Sequence, residues 1–152
     1  MLKAKVLFLC TGNSARSQIA EAFLRRYADD HFEVYSAGLE PKGIHPYTVR
    51  VMDEVGIDLS RQTSKDVFQY LGQINFGFII TVCSKAEAKC PIFPGVSLRM
   101  YWPFEDPAAF EGSAPEKLAK FREVRDQIDQ RLRSWLIEQG IQPANPVAAS
   151  SI

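Results

Sequence analysis

The sequence has little of what would point to an extracellular scaffold, a nucleic acid partner or a membrane. It contains three cysteines, an odd number, and only two histidines in 152 residues. Its 18 basic and 18 acidic residues cancel, so no excess of charge favours nucleic acid or an anionic lipid surface. No apolar run approaches the roughly 20 residues that a membrane-spanning helix needs. We therefore expect neither nucleic acid nor a membrane as a partner.

The length predicts a single folded domain. We assign residues 1–140 to one catalytic domain and expect residues 141–152, which are rich in Pro, Ala, Ser and Asn, to form a flexible tail. The first residues run directly into a predicted strand without a signal peptide, which predicts a cytoplasmic location. Thiols are kept reduced there, so the cysteines are better explained by catalysis, redox chemistry or metal binding than by structural disulfides.

Apolar runs and helical patterns alternate along the chain. The predicted strands cover residues 5–9, 32–37, 77–82 and 96–102, and the predicted helices cover residues 17–28, 45–55 and about 116–138. A further short helix is expected to begin at Thr63 or Ser64 and to end at Leu71. This alternation predicts an α/β fold with an open parallel sheet of about four strands and helices on both faces.

One segment combines a thiol, small residues and a guanidinium: Cys10-Thr-Gly-Asn-Ser-Ala-Arg16-Ser17, with Thr11, Gly12, Asn13, Ser14 and Ala15 between the ends. A loop between a buried strand and a helix directs its backbone N–H groups inward and binds anions. A cysteine at that position is expected to be held as a nucleophilic thiolate. Arg16 would present a planar fork to a tetrahedral oxyanion. The segment therefore predicts nucleophilic attack on phosphate or a phosphate mimic.

A simpler interpretation is that Cys10 is a small buried hydrophobe and that Gly12 and Asn13 only form a turn. The coincidence of strand, cysteine, five residues, Arg-Ser and helix makes the functional interpretation the stronger one.

The other two cysteines lie close together in the sequence, with six residues between Cys83 and Cys90. If that segment is helical, the two lie about 10 Å apart, whereas a disulfide needs Cα atoms within about 7 Å. A disulfide would then require the segment to bend, loop or unwind. Zinc is an unfavoured alternative, because neither His31 nor His45 lies near a cysteine in the sequence. We expect no metal and no cofactor.

Oxyanion displacement needs a general acid to protonate the departing oxygen. Asp106 precedes Pro107 in a stiffened turn after the last predicted strand. Glu105 is an alternative acid, and Asp106 could also simply start the turn.

Taken together, these segments resemble the thioredoxin-coupled arsenate reductases, which are built on the low-molecular-weight phosphotyrosine phosphatase fold. The resemblance extends to about residue 138, and the segments that carry it cover residues 10–18, 35–38, 81–84, 90–92 and 102–108. The loop alone is shared with the phosphatases. Together with the paired later cysteines, the loop is highly specific to the reductases.

The resemblance implies a role for each of these side chains. Cys10 would attack arsenate, which the loop amides and Arg16 bind, and Ser17 would hydrogen-bond the Cys10 thiolate. Asp106 would protonate the leaving oxygen. Cys83 would then attack the adduct, leaving a Cys10–Cys83 disulfide, and Cys90 would move that disulfide to Cys83–Cys90 for thioredoxin to reduce. Each arsenate needs two electrons, and a buried disulfide must be passed to the surface, where a protein reductant can reach it. A relay of three thiols fits both requirements.

The chain departs from the family at a position near the loop. Some family members bind potassium there through residues that match four of this chain, together with an aspartate. The four are Asn13, Glu21, Ser36 and Thr63. Lys65 stands in place of the aspartate, so its ammonium could occupy the site of the cation and pair with Glu21, or it could simply face water.

A second departure follows Asp106-Pro107. The phosphatases have tyrosines there that grip an aromatic substrate, whereas this chain has Ala108, Ala109 and Phe110, which disfavours phosphotyrosine as the main substrate.

Two alternative functions remain open from the sequence. One is a low-molecular-weight phosphatase whose extra cysteines protect Cys10 from oxidation. The other is a non-enzymatic oxyanion-binding or redox-sensing module. The first would hydrolyse aryl phosphates without needing thioredoxin, and the second would bind oxyanions without turnover. The reductant could also be glutaredoxin.

Overall fold

A computed structural model describes residues 3–95 and 97–146. Strands and helices alternate along the chain, in the order β1 (Ala4–Cys10), α1 (Arg16–Ala28), β2 (Phe32–Gly38), α2 (Pro46–Asp53), β3 (Phe78–Thr81), α3 (Ser84–Lys89), β4 (Leu98–Tyr101) and α4 (Ala114–Glu138). Two short 3₁₀ helices, Val67–Gln69 and Pro107–Ala109, lie in the connections.

The four strands form one parallel sheet in the order β2-β1-β3-β4. The central strand β1 places Leu9 opposite Ala37 on one side and Thr81 on the other. Cys10 is the last residue of β1 and Cys83 comes two residues after the end of β3, so both lie at the edge where ligands bind in such sheets. The predicted open parallel sheet of four strands is confirmed.

Helices cover both faces of the sheet. On one face α1 packs beside α4, whose Trp135 stacks on Phe32 and meets Phe78 edge to face. On the other face Tyr35 contacts Tyr70, which follows the first 3₁₀ helix, and α3 covers the ends of β1 and β3. Burial on both faces explains why β1 is a continuous apolar run instead of an alternating one.

The long helix α4 begins with a capping box. The Ser113 hydroxyl accepts from the backbone N–H of Glu116, and the Glu116 carboxylate accepts from the N–H of Ser113. Each bond satisfies an N–H group that a helix start would otherwise leave unpaired. The start therefore lies at Ala114, two residues before the predicted one.

The predicted start of the short helix, at Thr63 or Ser64, is wrong. The segment forms only one 3₁₀ turn, Val67–Gln69, and its cap is Asp66, whose carboxylate accepts from the N–H of Phe68. Ser64 instead donates to the carbonyl of Gly12. Strand β4 begins at Leu98, and Val96 of the predicted strand lies outside the described residues.

The first residues of the predicted tail contact the domain. Ala144 donates its N–H to the carbonyl of Tyr27, and Arg26 donates to the carbonyl of Asn145. Residues 147–152 of that tail lie outside the described residues. Among residues 3–95 and 97–146, no helix combines the length and apolarity that crossing a membrane would require.

An ionic network joins α4 to the end of α2. Arg125 is 1% exposed and donates to the carbonyl of Val51 and to Glu54. Arg122 forms a two-bond pair with the same carboxylate, at 2.9 and 2.8 Å. The hydrogen bond from Arg122, followed by that from Arg125, holds the pKa of Glu54 below its usual value.

Replacing Glu54 with Gln is expected to lower the free energy of unfolding at pH 7 by about 1 kcal/mol, a value discounted for the partial exposure of the pair. Because the folded-state pKa is depressed, the contribution is present above the unfolded-state pKa and is lost as pH falls through the folded-state pKa. Denaturant unfolding of both proteins should therefore differ at pH 7, and the difference should close as pH falls through the folded-state pKa. Glu138→Gln, at an exposed carboxylate of α4, is the control, and a gap that stays constant across the acid range would contradict the expectation.

Candidate active site

The loop between β1 and α1 encloses the thiol of Cys10, which is 2% exposed. The Cys10 sulfur lies 2.8 Å from the Ser17 hydroxyl and accepts the backbone N–H of Asn13 at 3.1 Å. Asn13 also donates its side-chain amide to the Ser17 oxygen, at 2.8 Å. The Ser17 hydrogen is therefore free to point at sulfur, which stabilises a thiolate.

The loop turns at Asn13, whose φ of +48° lies in the left-handed region. Its side chain is fully buried and donates to Ser36, while its oxygen accepts from Gln18 and from the N–H of Lys65. These bonds hold a backbone conformation that Asn tolerates better than most residues.

A neighbouring glycine lets the loop approach the sheet. A Cβ at Gly38, the last residue of β2, would lie 2.7 Å from the carbonyl of Thr11 and 2.9 Å from the N–H nitrogen of Asn13. Glycine is therefore required here for steric reasons.

The N-terminus of α1 has no side-chain cap, because Ala15 occupies the cap position. The first amides of a helix have no partner within the helix, and its dipole favours negative charge there. The loop and the start of α1 together form a cradle that suits a tetrahedral oxyanion.

Arg16 and Asp106 lie beside this cradle. The Arg16 guanidinium donates to the carbonyl of Phe104 at 3.1 Å, and its other terminal nitrogen lies 3.7 Å from an Asp106 oxygen. The other Asp106 oxygen accepts from the N–H of Ala108, which caps the second 3₁₀ helix. Asp106 faces the cavity, whereas Glu105 turns to Lys120.

The cavity has a volume of about 500 Å³. Its walls comprise the cradle, the loop before α2 and the start of the second 3₁₀ helix, and its lining residues include Cys10, Thr11, Gly12, Ser14, Ala15, Arg16, Lys42, His45, Lys85, Asp106 and Ala108. Its cations outnumber its carboxylates, so the cavity suits an anion.

Cys83 lies at the N-cap of α3, with 5% of its surface exposed. Its sulfur accepts from the N–H of Ala86 at 3.4 Å and lies 3.3 Å from the Thr11 hydroxyl. Thr11 immediately follows Cys10, so a single side chain connects the nucleophile loop to the second thiol. The structure thus brings Cys83 to the cradle, as the strand order predicts.

Cys90 lies at the opposite end of α3 and is half-buried. Burial raises the pKa of its thiol, Arg99 opposes that effect, and Glu87 adds to it. The six residues of α3 are helical between the two cysteines, so a Cys83–Cys90 bond requires α3 to unwind. All three cysteines belong to the described part of the chain and are free thiols.

Lys65 does not simply face water. Its ammonium lies 2.5 Å from the carbonyl of Thr63, 3.4 Å from the Ser36 hydroxyl and 3.5 Å from Glu21. Burial lowers the pKa of Lys65, and the charge of Glu21 opposes this. The ammonium thus contacts three of the groups that the resemblance assigns to potassium. Across the described ranges, 3–95 and 97–146, no three His, Cys, Asp or Glu side chains cluster as metal ligands.

Sequence reasoning missed three cationic or titratable residues of the cavity wall: Lys42, His45 and Lys85. His45 caps α2 through its Nδ1, which accepts from the N–H of Tyr47. Burial lowers the pKa of His45, Asp106 raises it, and Lys117 lowers it. The His-Pro pair at the start of a helical pattern was the signal for this cap.

Comparison with known proteins agrees with this geometry. The family model described as low molecular weight phosphotyrosine protein phosphatase matches residues 5–145. An arsenate reductase of Halalkalibacterium halodurans is 45% identical over 135 residues, covering 89% of this chain and 96% of that protein.

Two solved structures extend the comparison. A structure described as an arsenate reductase in the phosphate binding state has a TM-score of 0.71 and 31% identity, covering 89% of this chain and 98% of the other. A thioredoxin-dependent arsenate reductase of Corynebacterium glutamicum has a TM-score of 0.61 and 30% identity, covering 90% of this chain and 64% of that one. The chain therefore belongs to the low molecular weight phosphotyrosine protein phosphatase family, and within it to the arsenate reductases.

Proposed function

We propose that this chain reduces arsenate to arsenite in the cavity above Cys10, and that a relay through Cys83 and Cys90 delivers the oxidised state to thioredoxin. The observation that carries this proposal is the 3.3 Å contact between Thr11 and Cys83, because it brings a second thiol to the nucleophile loop. The catalytic domain would comprise residues 1–140, and the reaction would take place in the cytoplasm.

The first step forms a sulfur–arsenic bond. The Cys10 thiolate attacks arsenic(V) while the loop amides and Arg16 hold the other oxygens. One arsenic–oxygen bond breaks, and Asp106 gives its proton to the departing oxygen, which leaves as water. The contact between the Ser17 hydroxyl and the Cys10 sulfur, 2.8 Å, supports the thiolate that this step needs.

The second step transfers the electrons. The Cys83 thiolate attacks the Cys10 sulfur, and the sulfur–arsenic bond breaks with its electron pair remaining on arsenic. Arsenic becomes trivalent and leaves as arsenite, and the two sulfurs form a disulfide. The Thr11 hydroxyl and the N–H of Ala86 both reach the Cys83 sulfur, and both would stabilise its thiolate.

The third step moves the disulfide outward. Cys90 attacks Cys83, releases Cys10 as a thiolate and leaves a Cys83–Cys90 bond. Cys10 is 2% exposed and Cys83 is 5% exposed, whereas Cys90 is half-buried, so Cys90 is the more accessible of the three thiols for a protein reductant. The thioredoxin dependence of the Corynebacterium glutamicum relative supports thioredoxin as that reductant.

Phosphotyrosine hydrolysis is less favoured as the main activity. Binding of an aromatic substrate would need a large side chain at the cavity wall, where this chain has Ala108. The centre of the Phe110 ring lies 5.1 Å from the Lys120 ammonium instead.

Cys10→Ser is expected to lower arsenate turnover by at least about 1000-fold, because a serine hydroxyl is not ionised in the cradle. The melting temperature should change little, because serine keeps the hydrogen bonds to Ser17 and Asn13. Arsenite production with thioredoxin and its reductase measures turnover. Substantial turnover by a folded Cys10→Ser protein would refute the proposed nucleophile.

The relay predicts different failures for its two later cysteines. Cys90→Ser should release one arsenite per enzyme and then stall as a Cys10–Cys83 disulfide. Cys83→Ser should release none by this route. Single-turnover arsenite release combined with mass mapping of the disulfides distinguishes the two. Repeated turnover of Cys90→Ser with thioredoxin at the normal rate would refute the three-cysteine relay and argue for a scheme with two cysteines.

Lys65 is proposed to fill the cation position itself. Exchange of sodium for potassium should then leave the melting temperature and the turnover of the natural chain unchanged. Lys65→Asp should acquire a melting temperature that rises by a few degrees with potassium, whereas the neutral control Lys65→Gln should not. A clear potassium-dependent rise in the unmodified protein would contradict this role.

A further inference from the structure

The loop that carries Asp106 has few backbone hydrogen bonds to the rest of the molecule, although Pro107 beside the acid is buried. Trp102 and Phe104 still donate their N–H groups to the carbonyls of Thr81 and Val82. In the described part of the chain, the backbone bonds of residues 105–110 are local ones within the second 3₁₀ turn. Side chains must therefore fix the position of Asp106 over the cavity.

Arg16 holds the loop from the inside. Its guanidinium donates to the carbonyl of Phe104 and lies 3.7 Å from an Asp106 oxygen. The same guanidinium is the group that would bind the oxyanion. An arriving oxyanion therefore competes with the loop for Arg16, and its negative charge also repels the Asp106 carboxylate.

Lys120 of α4 holds the loop from the outside. Its ammonium lies 3.4 Å from the Glu105 carboxylate and 5.1 Å from the centre of the Phe110 ring. Glu123, one turn further along α4, fixes the same ammonium at 2.8 Å. The Lys120 side chain is only 17% exposed, and its contacts fall on both sides of Asp106 in the sequence.

We infer that Lys120 is a positioning residue for Asp106, and that it keeps this acid over the cavity once the oxyanion has drawn Arg16 away. Among the described residues, this loop has two ion pairs, Arg16–Asp106 and Lys120–Glu105. Only the second is independent of Arg16, the residue that would bind the oxyanion. This inference rests on the proposed role of Asp106 as the acid. Lys120 touches no reacting atom, so its effect passes through the loop.

Three variants separate positioning from general stability. Lys120→Met keeps most of the length of the side chain and removes its charge, and with it the two ion pairs and the cation–π contact with Phe110. Lys120→Arg restores both the charge and the contact with the ring. Arg122→Met is the matched control, because it removes an ion pair of the same helix, to Glu54, without touching the loop.

The first measurement is hydrogen exchange of residues 103–112 with and without inorganic phosphate as the oxyanion. Lys120→Met should speed exchange in this segment, and more so with phosphate present, while Lys120→Arg and Arg122→Met should match the natural chain. This measurement needs no turnover, so it remains informative if arsenate reduction fails. Unchanged exchange in Lys120→Met would overturn the inference.

The second measurement is the rate of single-turnover arsenite release in a double-mutant cycle. Asp106→Asn should slow release by about 100-fold, the smaller contribution typical of a general acid. Lys120→Met should slow it about five-fold, as expected for the loss of one partly screened pair, and Lys120→Arg should restore it. In the Asp106→Asn background Lys120→Met should have no further effect.

The outcomes distinguish the two proposals. Multiplicative effects of Lys120→Met and Asp106→Asn would show that Lys120 acts independently of the acid, which overturns the inference and leaves the proposed reduction intact. An unchanged rate in Asp106→Asn would remove Asp106 as the acid, and the inference with it. Absence of arsenite release from the natural chain would contradict the proposed function and the role of Asp106 as its acid, whereas the exchange measurement would still decide whether Lys120 positions the loop.

Discussion

The left-handed turn at Asn13 is the constraint on which the site depends. It turns the loop back toward its own nucleophile, so that the N–H of Asn13 meets the Cys10 sulfur. The buried side-chain amide of Asn13 connects Ser17 and Ser36, and Gly38 leaves room for the close approach. Contacts within the protein therefore hold the dipoles of the cradle in place, so they need little reorganisation during the reaction.

Three chemically identical thiols acquire different properties from their surroundings. Cys10 accepts hydrogen bonds inside the cradle, and Cys83 accepts them at the start of α3. Cys90 is half-buried, and burial raises the pKa of its thiol. The intact helix α3 keeps Cys83 apart from Cys90. In the proposed relay this separation leaves Cys83 available for the Cys10 adduct until the disulfide forms.

Charge compensation around the loop relies on side chains of this chain. Glu21 is 4% exposed and would be costly to bury without partners. Arg25 pairs with one of its oxygens at 2.7 Å, and Lys65 and Ser36 contact the other. Lys65 therefore places a positive charge of the protein itself beside Glu21 and Ser36.

The sequence by itself determined the sheet and the nucleophile loop, because local patterns carry both of them: apolar strands that alternate with helical segments, and a Cys-to-Arg spacing between a strand and a helix. It did not determine the cap at Asp66, where several polar residues compete for one turn. It also did not reveal Lys42, His45 or Lys120. Only the tertiary structure placed Lys120 beside the loop of Asp106, because Lys120 meets Glu105 across 15 residues of chain, and such a contact has no local signature.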